Sequence, residues 1–306
     1  MALYNGKNVK ATIGVMDGDD NLTGGKDKYL RGEISVDLDD RNMIVDDVLD
    51  GGDLPAPVAL VQGKKRGKFS IKQLVLWDNF FPELIKNFAN VGNATSFPIS
   101  FTNDSIDEKV VLGINQGLSG NNVFMGRPNE FKLSVDAEEQ FISYEFNGVL
   151  GEYDTIDDSE FSLAGLNLPQ GKPFKANDAR LQNSTGDDIA DVRKIELTLK
   201  NGLEILENLG DPNFGAPAYE GEGVLTIALN PTTLNLFNTA LDDASPLILK
   251  IYAEDQDGHT LLINLPGVAI LGKGYDFSRQ AKIGTQEFKF KLVRDDSGNT
   301  ITINFA

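Results

Sequence analysis

One order of secondary-structure signals occurs twice in this chain, and that repetition limits the possible folds more than any other feature. Polar and apolar residues alternate through Gly32-Glu33-Ile34-Ser35-Val36-Asp37-Leu38, and again through Lys194-Ile195-Glu196-Leu197-Thr198-Leu199, as in a strand with one buried face. A long stretch follows each, and then a second strand signal: Gly67-Lys68-Phe69-Ser70-Ile71 in the first half, Gly223-Val224-Leu225-Thr226-Ile227 in the second. A helix signal comes next. Asn230 is placed to cap, Pro231 suits the first helical position, and Leu234, Phe237 and Leu241 recur at helical spacing. Pro82, Ile85 and Phe88 repeat this pattern in the first half. A strand over 97–101 is then matched by one over 246–252. In the last section, aligned without a gap, Met125-Gly126-Arg127 matches Leu271-Gly272-Lys273, Phe131 matches Phe277, and Ile142, Tyr144 and Phe146 match Phe288, Phe290 and Leu292. The prediction is a mainly β chain built as two tandem β-sandwich or curled-sheet domains, each with one short helix. The first domain spans 1–151, a linker rich in Asp, Asn, Gly, Ser and Pro spans 152–191, and the second domain spans 192–306.

A length of 306 residues agrees with two domains of ordinary size. The 41% hydrophobic and 24% charged content is that of a globular protein with a packed core. Cysteine is absent, which excludes disulfides and thiolate metal sites. No apolar run approaches the roughly 20 residues of a membrane helix, and the opening MALYNGKNVKATIGV has no apolar segment of the secretory kind. The net charge of −18 argues against a broad grip on nucleic acid, which needs Lys and Arg to replace phosphate counterions. It suits a surface that repels polyanions, as well as plain solubility.

Patterns that could carry chemistry are incomplete. Asp17, Asp19 and Asn21 have the odd-position spacing of a calcium loop, but Leu22 stands where its glycine belongs and Lys28 where its last glutamate belongs. Asp257-Gly258 reads as a hairpin turn. His259 is the only histidine, and neither a nucleophile elbow nor a phosphate-binding glycine loop occurs. No catalytic residue, cofactor or metal ligand is expected, and the chain does not read as an enzyme. Trp77, the only tryptophan, reads as a core or interface anchor more readily than as a sugar platform.

The long stretches are more informative. Residues 41–66 carry Arg41, Asp46, Asp47, Asp50 and Asp53 and then Lys64, Lys65 and Arg66. Residues 201–222 lie at the same place in the second half and carry Glu204, Glu207 and Asp211. Both read as long loops, and a long loop recurring at one place in both copies points to contact with another molecule. Segregated charge suits docking on a complementary surface.

The repeated unit of strand, long loop, strand, short helix and further strands resembles the tube domain of bacteriophage tail tube proteins. So do the closing segments Gly267-Val268-Ala269-Ile270-Leu271-Gly272-Lys273-Gly274 and Ile283-Gly284-Thr285-Gln286-Glu287-Phe288-Lys289-Phe290. The resemblance implies a structural virion protein of the tail, made in the host cytoplasm. Two fused domains imply homotrimeric rings with pseudo-sixfold symmetry, stacked into a hollow tube. It further implies that the long loops reach the adjacent ring and that an acidic lumen lets double-stranded DNA pass as cargo. The implied partners are other copies of the chain and the terminator, tape measure and distal tail proteins, with no membrane. A baseplate hub with two tube-like domains is one alternative, and a carbohydrate-binding β-sandwich pair is another.

Overall fold

The computed structural model describes residues 10–16, 22–25, 28–30, 32–46, 57–92, 95–101, 109–115, 121–156, 166–203, 205–206, 213–214, 219–276, 284–294 and 301–306. The first half contains β1 (Lys10–Met16), β2 (Leu22–Gly25), β3 (Gly32–Asp46), β4 (Pro57–Leu74), α1 (Phe81–Phe88), β5 (Ile99–Ser100), β6 (Lys109–Asn115), β7 (Asn121–Asp136) and β8 (Ser143–Ile156). The second contains β9 (Arg180–Gln182), β10 (Val192–Lys200), β11 (Ile205–Leu206), β12 (Asn213–Phe214), β13 (Glu220–Ala228), α2 (Pro231–Asp242), β14 (Leu247–Glu254), β15 (Thr260–Asp276), β16 (Thr285–Leu292) and β17 (Thr302–Phe305). The fold is mainly β, as expected, and the named strands pair antiparallel.

Fifteen strands form a single sheet. Within it both halves follow one pairing order. β3 pairs β4, β4 pairs β8, and β8 closes a hairpin with β7. In the same way β10 pairs β13, β13 pairs β16, and β16 closes a hairpin with β15. The halves then meet edge to edge, with Glu130–Asp136 of β7 lying against Lys194–Lys200 of β10. α1 and α2 occupy the same place in the order, between the second strand and the closing hairpin.

The sequence accounts for both helices. Asn230 accepts hydrogen bonds from the backbone N–H groups of Thr232 at 2.9 Å and Thr233 at 3.5 Å, and Pro231 needs no such partner. At α1 the Asn79 Oδ1 accepts from Phe81 N at 2.9 Å, ahead of Pro82. Phe81, Leu84, Ile85 and Phe88 of α1 are buried, as is Phe237 of α2. They lie with the inward residues of the sheet, among them Phe131, Tyr144, Phe146, Leu197, Phe288 and Phe290, in one continuous core. Each inward residue alternates with an outward polar one, so a single strand period builds the core and the charged face together.

Several expectations need correction. The stretch 41–66 is not a loop: β3 and β4 stay paired out to Asp46 and Pro57, and only its tip lies outside the described residues. β8 leaves β4 at Gly67, so beyond that point the hairpin continues as a two-stranded arm. At ~3.3 Å per residue its eight-residue outer strand is about 25 Å long. In the second half the corresponding stretch holds only the two-residue pairing of β11 with β12. The ungapped match of the closing hairpins is displaced by four residues, because the irregularity at Pro128/Glu130 of β7 corresponds to the one at Ile270/Gly272 of β15, which sets Glu130 with Gly272 and Asn147 with Lys289. Phe277, matched above to the fully buried Phe131, lies outside the described residues. The strand equivalent to β14 is β6, since each pairs the first part of a long hairpin strand. The two-residue β5 instead pairs β17 of the other half.

The described part of 152–191 is packed against both halves. Phe174 is buried, its N–H donates to Val75 O at 3.0 Å, and its carbonyl accepts from Ile142 N at 2.9 Å. β9 pairs β14. The calcium-like residues Asp17, Asp19 and Asn21 lie outside the described residues.

One packing detail occurs in both halves with the strands exchanged. Gly148 of β8 faces Phe69 of β4, and Gly223 of β13 faces Phe290 of β16, each ring lying over the glycine opposite it. A Cβ on Gly148 would stand 2.2 Å from the Phe69 ring and 2.5 Å from the Arg127 carbonyl oxygen. Gly148→Ala is therefore expected to cost about 1–3 kcal/mol by overpacking, read as a lower urea midpoint with the slope unchanged. An unchanged midpoint would show that the ring is free to move away.

Candidate functional surface

Two neighbouring surfaces stand out: the junction of the halves and the outward face of the sheet that runs through it. At the junction, Asn201 follows β10 and is buried. Its Nδ2 donates to Phe88 O at 3.2 Å and to Pro128 O at 3.0 Å, tying the end of α1 and the middle of β7 to the second half. Tyr219, just before β13, donates its hydroxyl to the same Phe88 carbonyl at 3.2 Å, and burial raises its phenol well above the usual range. On the far side, Trp77 stacks on His259 with ring centroids 4.1 Å apart and on Phe305 at 4.9 Å. Phe305 of the last strand also packs against Phe81 at 5.1 Å. Trp77 is thus an anchor between the halves, not a sugar platform. The His259 Nδ1 lies 2.8 Å from the buried Asp255 carboxylate, which also accepts the backbone N–H groups of Asp257 and His259. The only histidine therefore belongs to the β14–β15 turn.

The outward face carries charge in rows that cross the sheet. One row runs Glu33, Lys72, Glu145, Lys132, Thr198, Glu222, Lys291 through β3, β4, β8, β7, β10, β13 and β16, each residue directly opposite the next. The sign alternates on either side of Thr198, and the row passes the junction unbroken. Lys132 Nζ is 2.9 Å from Glu130 and 3.7 Å from Glu145. Lys194 is 2.8 Å from Glu196 and 3.5 Å from Asp136, and Lys200 is 3.8 Å from both Glu130 and Glu222. Two shallow grooves open on this face, one beside Lys68, Glu130 and Lys200, the other beside Lys132, Glu145, Lys194 and Glu196.

Burial alone would raise the Glu130 carboxyl, but the hydrogen bonds from Lys132 and Asn147 and the charges of Lys132 and Lys200 outweigh it and hold the group below its usual range. The hydrogen bond to Glu130, helped by the charges of Glu130 and Glu145, raises the Lys132 ammonium against the effect of burial. Lys194 is raised in the same way, chiefly by its hydrogen bond to Glu196. Each such pair is worth little by itself, about 0.2–1 kcal/mol. Their collective effect is to leave no lysine of the row without a carboxylate neighbour.

The face is therefore close to neutral. Glu33, Asp37, Glu130, Asp136, Glu145, Glu196, Glu220, Glu222 and Glu287 stand against Lys68, Lys72, Lys132, Lys194, Lys200, Lys289 and Lys291. The −18 of the chain is not concentrated here.

Of the loop residues singled out above, Arg41 and Asp46 lie on β3 and Lys64, Lys65 and Arg66 on β4; the pairing sets Lys65 and Arg66 opposite Asp40 and Asp39 and leaves Asp46 at the other end of the arm, opposite Pro57. Arg66 donates to Gly151 O at 2.8 Å at the arm's root. Asp47, Asp50, Asp53, Glu204, Glu207 and Asp211 lie outside the described residues. Sequence reasoning missed Asn201, Tyr219 and the charged rows. The polar half of each strand's alternation was the available signal, but without a register it does not assemble into rows.

The family model for phage tail tube proteins matches residues 6–292. The chain belongs to the phage tail tube protein family. It is accordingly a structural protein of the virion tail, and the family is a structural one and not known as enzymes. Solved structures with some likeness include a chain of the virion of a native gene transfer agent particle, at 12% identity and TM-score 0.33, covering 42% of this chain and 96% of that one. Another is from the tail of an empty gene transfer agent particle, at 14% identity and TM-score 0.31, with the same coverage. No curated protein matches the chain.

Two outcomes test the surface. Asn201→Ala removes the amide donor to Pro128 O and the side-chain acceptor of Leu203 N, while Phe88 O keeps the Tyr219 hydroxyl, so a loss of about 1–3 kcal/mol in urea unfolding is expected; a loss near zero would mean that water replaces the amide. Because the Glu130 pKa is depressed in the folded state, the stability it contributes is present above the unfolded carboxylate pKa and is lost as pH falls through the folded value. Between pH 7 and pH 3, Glu130→Gln should lose less of its unfolding midpoint than the unaltered chain, and parallel losses would remove Glu130 from the account.

Proposed function

We propose that this tail tube protein forms three-chain rings with pseudo-sixfold symmetry, that the rings stack into a hollow tube, and that DNA passes through it. In this reading 1–151 and 192–306 are two tube-like domains joined by 152–191. The observation that carries it is the repeated pairing order, with β7 of one half continuing into β10 of the next. A protein that joins like units edge to edge within one chain has the means to join them between chains, and a head-to-tail contact that repeats closes into a ring.

The charged face suits a lumen. Lys132, Lys194, Lys200 and Lys291 each lie within 4 Å of a carboxylate, so a phosphate approaching them meets paired charge in place of free cations. Low adhesion would then come from pairing as well as from acidity, a different balance from the simply acidic lumen that the family resemblance implies. The arm suits stacking. A two-stranded ribbon without a third strand is marginal in water and gains from docking on another surface. Its partners would be the next ring and, at the tube ends, the terminator, tape measure and distal tail proteins. Synthesis in the host cytoplasm follows from the same reading.

Electron microscopy of the purified chain at increasing concentration tests the rings and tubes. A chain that stays monomeric at every concentration, with and without tail initiator components, would sink the reading. The arm is tested by replacing residues 41–64 with an Asn-Gly turn, which joins the directly opposed Asp40 and Lys65. Rings should survive and stacking should be lost. Tubes of normal length from this variant would assign stacking to another surface.

A further inference from the structure

We infer that His259 is a pH-sensitive latch between the two halves: with a proton on both ring nitrogens it ties the β14–β15 turn to Trp77 more tightly than the neutral ring does. The latch is a property of the single chain and is independent of the ring reading.

The chain has one histidine and one tryptophan, and they stack on each other across the junction. Trp77 lies in the first half, between β4 and α1, and His259 in the second, between β14 and β15. Their ring centroids are 4.1 Å apart and the angle between their planes is 9°. Both partners are fixed from behind. Beside Trp77, Leu76 bridges Pro173, and the Asp78 carboxylate accepts the N–H groups of Gln170 at 2.6 Å and Gly171 at 2.9 Å. Phe305 stacks on the indole as well, at 4.9 Å. Behind His259 the turn is closed by the Asp255 N–H, which donates to His259 O at 2.9 Å, and by Gly258, whose φ of 90° suits glycine.

A proton on the ring has two favourable neighbours. The Asp255 Oδ1 accepts the backbone N–H groups of Asp257 at 2.8 Å and His259 at 2.9 Å, and its Oδ2 lies 2.8 Å from His259 Nδ1. The Asp255 side chain is 1% exposed and that of His259 is 32% exposed, so the carboxylate is shielded while the imidazole can exchange its proton with water. Burial alone would raise the Asp255 carboxyl, but the hydrogen bonds from the His259 side chain and from the two backbone N–H groups, with the charge of His259, hold it below its usual range. It therefore stays ionised throughout the interval in which an imidazole titrates. A neutral ring gives this carboxylate an ordinary hydrogen bond. An imidazolium gives a charge-assisted one, roughly twice as strong, and lays positive charge on the electron-rich face of the indole. The charged groups nearby are engaged elsewhere. Lys172 is held 2.7 Å from Asp257, Glu254 accepts the Tyr252 hydroxyl at 2.8 Å, and Asp78 takes the two N–H groups named above.

The other side of the junction is the β7–β10 ladder of backbone hydrogen bonds, which carries no such proton. Acidification therefore tightens one side only. The tie is strongest with His259 protonated and weakens as pH rises through the interval in which an imidazole gives up its proton.

Tryptophan emission tests the latch directly, because an imidazolium in contact with an excited indole quenches it. As pH is lowered from about 8 to about 5, across the histidine range, the emission of Trp77 in the folded chain should fall in a single step, and His259→Gln should show no step. The thermal midpoint of the unaltered chain should exceed that of His259→Gln by about twice as much at the lower pH as at the higher. Asp255→Asn keeps an oxygen for the two N–H groups of the turn and removes the charge, so its deficit against the unaltered chain should also grow on acidification. Should His259→Gln fail to fold, the step in the unaltered chain and the Asp255→Asn deficit decide the matter. Flat emission across the range, a step that survives in His259→Gln, or a midpoint gap that stays constant or shrinks on acidification would overturn the inference.

Discussion

The pairing of β7 with β10 is the interaction on which the rest of the architecture depends. Seven residues of one half lie against seven of the other in strict antiparallel register. This pairing merges two four-strand units into one sheet, continues the core beneath it from Phe131 and Leu133 to Leu197 and Leu199, and carries the charged rows across. It also places the residue after β10 against the end of α1, where Asn201 and Tyr219 share the Phe88 carbonyl. A slip of one residue would turn every lysine and glutamate of β10 into the core, so the burial of Ile195, Leu197 and Leu199 fixes the register.

The outward face follows from the same geometry. A strand buried on one side must present its alternate residues to water, and here those residues are charged. Antiparallel pairing sets them opposite one another at distances where opposite signs attract and like signs repel. The alternating row from Glu33 to Lys291 satisfies that condition over seven strands, with Thr198 as its neutral member. Such a surface is strongly hydrated and offers a polyanion no cluster of unpaired cations. For a tail tube protein, a large sheet face of this kind is compatible with a polymer moving past it.

The halves share a pairing order and differ in their elaborations. The first has the β3–β4 arm and the second a two-residue pairing at the same place. Trp77, Phe81 and Phe305 cement the side away from the arm, and the segment around Phe174 is stitched to both halves. The two units are therefore equivalent in pairing and unequal in surface.

Much of this was legible from residue order alone. The alternation at Gly32 to Leu38 and at Lys194 to Leu199, the capping Asn230 with Pro231, and Pro82 ahead of Ile85 and Phe88 determined a mainly β chain with two helices at repeated positions, because strand period and capping chemistry are local properties. The match of the closing hairpins went astray by four residues for a physical reason: alternation has period two, so an even displacement leaves the pattern of apolar and polar positions unchanged. The stretch 41–66 read as a loop because its charges and turn residues hide a ladder held by backbone hydrogen bonds. Register, the meeting of β7 with β10 and the charged rows were decided only in the tertiary structure, since they depend on which strands lie side by side and no local pattern encodes a neighbour some sixty residues away.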